Sequence, residues 1–152
     1  MIQTAQLPIP EWIWSIESVF EFLAMADELI ARPIDTDDGD GLANRIAELT
    51  ALSPASYNTL AACKWYEQST YKYEVHLYAD ELKQRAGEVH KPLVAPSILR
   101  DYLKSRTAEL QALYERADRT NAALTHTIEG MRSILSKVKE DRRHAAFAGN
   151  LR

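Results

Sequence analysis

His76 and Asp80 stand four residues apart in a stretch with helical spacing, so both can face the same way and share a cation. A metal centre needs three or four such donors, and no second pair at that spacing lies near them in the sequence. His126 and Glu129 share a face in the same manner, and the four histidines, His76, His90, His126 and His144, are scattered along the chain. The densest run of acidic residues is Asp35-Thr36-Asp37-Asp38-Gly39-Asp40-Gly41. A calcium loop of the EF-hand type needs glycine at position 6 and a bidentate glutamate at position 12. Counted from Asp35 those places hold Asp40 and Ile46; counted from Asp37, Glu48 reaches the last place but glycines occupy positions 3 and 5. The run therefore predicts a solvated loop whose Asp40 caps the following helix. Cys63, the single cysteine, lies beside bulky aromatics and predicts a small buried apolar role. The chain contains no glycine-rich phosphate loop, no Cys-x-x-Cys, no His-Glu-x-x-His and no Gly-x-Ser-x-Gly. No catalytic, metal or cofactor residue is assigned, and the expectation is a protein that is not an enzyme.

Two other patterns bear on binding. Lys64-Trp65-Tyr66 and Tyr71-Lys72-Tyr73 interleave aromatics with cations, a composition on which bases of a single strand can stack. The competing expectation is a buried seam of Tyr71, Val75, Tyr78 and Leu82, with lysine stems covering the rings. Upstream, Ile46-Ala47-Glu48-Leu49-Thr50-Ala51-Leu52-Ser53-Pro54 followed by Tyr57 and Leu60 places small and apolar residues at the offsets of two helices meeting at a tight turn. The stretch resembles the helix-turn-helix pattern common in DNA-binding regulators and in small terminase subunits of phages. That resemblance covers about twenty residues and implies a reader over residues 46–64. Its nucleic-acid contacts would be Ser56, Asn58, Thr59 and Lys64, with Trp65 and Lys72 added from the aromatic belt. The turn carries Ala51 where glycine is usual, and Lys64 is the one cation of the reader.

These residues must be positioned by helices. Glycine and proline are scarce, five and six in 152 residues, which favours helix. The longest apolar repeat runs over residues 97–140 through Leu99, Leu103, Leu110, Leu113, Ala117, Leu124, Ile128, Met131, Leu135 and Val138. Its register passes through Arg106 and shifts at Asn121, a place where a polar residue can set register. Before it, Trp12, Ile13, Ile16, Val19, Phe20, Leu23, Ala26 and Ile30 predict an amphipathic helix over 11–31, with Pro10 at its opening. Shorter periodicity predicts helices over 42–52 and 54–86, then a stiff connector ending at Pro96. The fold class is all-α: an N-terminal helix, a short second helix, and a long antiparallel helical hairpin with a coiled-coil-like C-terminal arm. The length predicts one helical domain over residues 1–152, with 141–152 as a tail.

The net charge of −4 is unevenly spread. Residues 1–52 hold ten acidic residues against Arg32 and Arg45, whereas residues 97–152 hold eleven basic against seven acidic. The ends are expected to attract each other, within a chain or between chains. With one cysteine and no apolar segment free of charges, the chain predicts a soluble, cytosolic protein without a membrane span.

Two function classes follow. One is a non-enzymatic assembly or adaptor protein of phage or mobile-element character, meeting a protein partner or a second copy of itself through Leu103, Leu110, Leu113, Asn121, Leu124, Ile128, Met131 and Leu135. The other is a DNA-associated helix-turn-helix protein whose hairpin sets an oligomer.

Overall fold

In the computed structural model, which describes residues 9–86 and 96–149, four helices follow one another: α1 (Ile16–Ala31), α2 (Gly39–Ala51), α3 (Ser53–Ala86) and α4 (Pro96–Gly149). The all-α class and the helical hairpin of α3 and α4 are as the sequence predicts. The predicted connector lies outside the described residues up to Pro96.

The boundaries move for local reasons. Residues 11–15 are not helical: Ile13 N–H donates to Pro10 C=O at 2.9 Å, forming a turn, and Ser15 Oγ accepts from Ser18 N–H at 3.1 Å. Ser15 therefore caps α1, and the proline that suits a helix opening serves a turn instead. Asp38, not Asp40, caps α2, its carboxylate accepting from Asp40 N–H at 3.1 Å. Asp35 Oδ1 accepts from Asp37 N–H at 3.0 Å, so two of the loop's carboxylates are engaged by their own backbone. Leu52 alone joins α2 to α3. The expected tail is helical as far as Gly149.

Contacts gather into two units, the first of residues 1–19 and 58–117, the second of 20–57 and 118–152. In the first, Ile13, Ala62, Cys63, Tyr66, Leu103, Leu110, Leu113 and Ala117 are buried. Tyr66 hydroxyl donates to Trp14 C=O at 3.1 Å, tying α3 to the segment before α1. In the second, Leu29, Leu42, Leu49, Leu124, Ile128 and Met131 form one cluster, with Ile30, Ile46, Leu52, Ile134 and Leu135 packed around it. Its polar ties are specific. Ser56 hydroxyl donates to Asn121 Oδ1 at 2.8 Å, Thr120 hydroxyl to Asp27 Oδ1 at 3.0 Å, and the Arg45 guanidinium reaches Leu29 C=O and Glu48.

Candidate functional site

The buried face of α3 is not its most apolar one. The expected seam of Tyr71, Val75 and Tyr78 is replaced by Cys63, Tyr66, Thr70 and Glu74; Tyr71 and Val75 are exposed, Tyr78 is half-buried, and the side chain of Leu82 lies outside the described residues. The choice is possible because Glu74 is paired. Its Oε1 accepts from Arg106 Nε at 3.0 Å and lies 3.0 Å from Arg106 Nη2, while Tyr102 hydroxyl donates to Oε2 at 3.3 Å. A buried carboxylate is tolerated when a guanidinium and a hydroxyl satisfy it, and Arg106 thereby flanks the seam of α4 rather than sitting in it. Burial of its hydroxyl, then the Glu74 charge, raises the pKa of Tyr102. Burial likewise raises that of Tyr66, with Glu17 and Cys63 adding to it.

The same rule operates on α4, where Thr107 and Thr120 are buried. Thr107 hydroxyl donates to Leu103 C=O at 3.1 Å within the helix.

The residues expected to meet other chains are committed to their own. Leu103, Leu110 and Leu113 are buried in the first unit, and Leu124, Ile128 and Met131 in the core cluster of the second. Leu135 packs on that cluster, and Asn121 is half-buried on Ser56. An amphipathic repeat shows that a stripe is covered, not which chain covers it.

The nucleic-acid set divides. Asn58, Lys64 and Lys72 are exposed, but Ser56 and Thr59 are 2 % and 1 % exposed and face inward. Trp65 is half-buried, its ring 5.1 Å from that of Tyr66 in an edge-on contact. The aromatic belt is thus split between packing and surface. Cys63 is fully buried, and burial pushes its thiol up to about 11, away from nucleophilic use near neutral pH. His76 and Asp80 are exposed, and no group of three or more histidine, cysteine or carboxylate side chains gathers among the described residues. His126 Nδ1 lies 3.8 Å from Glu129 Oε2 with both side chains in solvent.

Two residues of the expected apolar face of the N-terminal helix lie outward instead, Trp12 at 68 % and Phe20 at 40 % exposed, and Met25, Tyr57, Ile98 and Phe147 are exposed as well, Phe147 at 72 %. Residues 141–147 are exposed on every side of α4. Phe20 carried a hint, since it sits at the edge of the apolar stripe of α1; Phe147 carried one as the only aromatic in a charged helix end.

Compared with known proteins, the chain matches no family model, and no significant similarity to a curated protein or to a solved structure was found. Among the described residues, no helix is long and apolar enough to cross a membrane.

Proposed function

We propose that the protein is a non-enzymatic assembly or adaptor component of phage or mobile-element character that works by helix packing against a protein partner. The observation that supports this reading most is the end of α4: residues 141–147 are helical yet exposed on every face, with Phe147 at 72 %. Helices of this kind gain most of their stability from packing an apolar side, so a helix extending past its own core is suited to being covered by another protein. The association surface moves accordingly from the leucine seam, which the chain fills itself, to exposed faces.

Photo-cross-linking in cells tests the reading. A benzophenone side chain at position 147 is expected to give discrete higher-mass adducts, and the same group at exposed Ala122 few or none. No adduct at 147 would overturn it.

A further inference from the structure

Resting on the assembly reading, a second copy of this chain is the partner that the charge pattern of the second unit favours. The helix α1 carries Glu17, Glu21, Asp27 and Glu28 and no basic residue. At 100° per residue, Phe20, Glu21, Ala24, Met25 and Glu28 share one face of it, and all five are exposed, Phe20 at 40 % and Met25 at 43 %. Its acidic residues run along the middle, with Phe20 and Ala24 on one side and Met25 on the other, and Glu28 already pairs with Arg32 at 3.2 Å.

The end of α4 has the converse character. Arg132, Ser136, Arg143 and Phe147 share a face and are exposed, with Lys137 and Lys139 nearby. Glu140 lies on the same side, where its Oε1 is 3.8 Å from His144 Nε2. Elsewhere around the helix the exposed Arg142 lies with its guanidinium against Gly39 at the start of α2, at 3.4 Å from where a Cβ would stand, while Arg143 and Phe147 are turned away from that contact.

We infer that the Arg143 and Phe147 face of α4 docks on the Phe20, Glu21 and Met25 face of α1 in a second copy. Phe147 supplies an aromatic anchor for a surface already holding Phe20 and Met25, and the arginines meet Glu21. Each copy carries both halves, so the contact joins unlike patches, and it is reciprocal if two copies close on a two-fold axis.

Light scattering on the full chain, across protein concentrations and at low and high salt, tests this. The wild type is expected to exceed the 17.2 kDa of a single chain as concentration rises, and to do so less at high salt. Arg143→Glu and Glu21→Lys should each weaken association by about tenfold, and the two mixed together should recover most of it. Both positions are exposed, so unchanged circular dichroism confirms folding. A single-chain mass at every concentration, association indifferent to either variant, or failure of the mixture to recover would each overturn the inference. Cross-linked adducts at position 147 that are not multiples of the chain would also overturn it while leaving the assembly reading intact.

Discussion

Glu74 is the residue on which the packing of α3 against α4 depends most sharply, because it places a carboxylate only 4 % exposed where an apolar side chain would be expected. Removing a partner is costlier than removing the charge. Arg106→Ala strands the carboxylate with Tyr102 alone and should cost about 2 kcal/mol, discounted from the fully buried case because Arg106 is itself 42 % exposed. Glu74→Leu removes the charge with its need for partners and should cost less, which urea unfolding of the two variants would decide. An equal loss in both would show that the pair acts only as packing. Cys63 gives a second test, in pH. Its thiol ionises near 9 in the unfolded chain and near 11 when folded, so the folded state holds its proton longer. Stability from this group is complete below pH 9 and falls as pH rises toward 11, with Tyr66 and Tyr102 adding in the same direction. Cys63→Ala should lower stability at pH 7 by about 1 kcal/mol through lost volume yet flatten the decline above pH 9. An unchanged slope in urea midpoints between pH 8 and 11 would contradict the assignment.

At the level of the helices, Gly130 and Gly41 separate propensity from context. Gly130 is exposed in α4 with nothing within 4 Å of an added Cβ, so Gly130→Ala should stabilise by about 0.5–1 kcal/mol. At Gly41 the added Cβ would collide with the Asp38 carboxylate that caps α2. Gly41→Ala gains the same propensity but displaces a cap worth about 1 kcal/mol, so the two should nearly cancel. Thermal melts of both variants check the contrast, and equal stabilisation would mean that the cap contributes little. Such context explains what the sequence disclosed and what it did not. Helix existence, order and the hairpin were legible from spacing, because alanine, leucine and the charged residues agree with their periodicity over many turns. The start of α1 was not, since Pro10 fits both a turn and a first helical position, and only the Ser15 to Ser18 hydrogen bond decides. The buried face of α3 was not legible either. Ser56 and Glu74 become core residues through partners distant in sequence, Asn121 and Arg106, which no local window contains. The candidate site suffered more, because periodicity marks stripes that are covered, whereas a docking surface consists of the residues left over.

For the whole chain, that distinction separates two kinds of substitution that sequence periodicity would group together. Leu124 is 2 % exposed within the cluster of Leu29, Leu42, Leu49, Ile128 and Met131, so Leu124→Ala should remove about 2–5 kcal/mol of stability, and Leu124→Asp should unfold the chain rather than dissociate folded copies. The end of α4 should behave oppositely. Ending the chain after Glu140 removes residues whose described side chains, 141–147, are all exposed, together with Arg142 beside Gly39. Little apolar surface that the chain itself covers is lost, so the dilute protein should keep its urea midpoint within the equivalent of about 0.5 kcal/mol. Its helical circular dichroism should fall only by the share of the deleted turns. Because the deletion also removes Arg143 and Phe147, the concentration-dependent mass increase should disappear. A shortened chain that unfolds more readily when dilute would show the segment to be part of the chain's own folding unit, and assembly would then have to use another face.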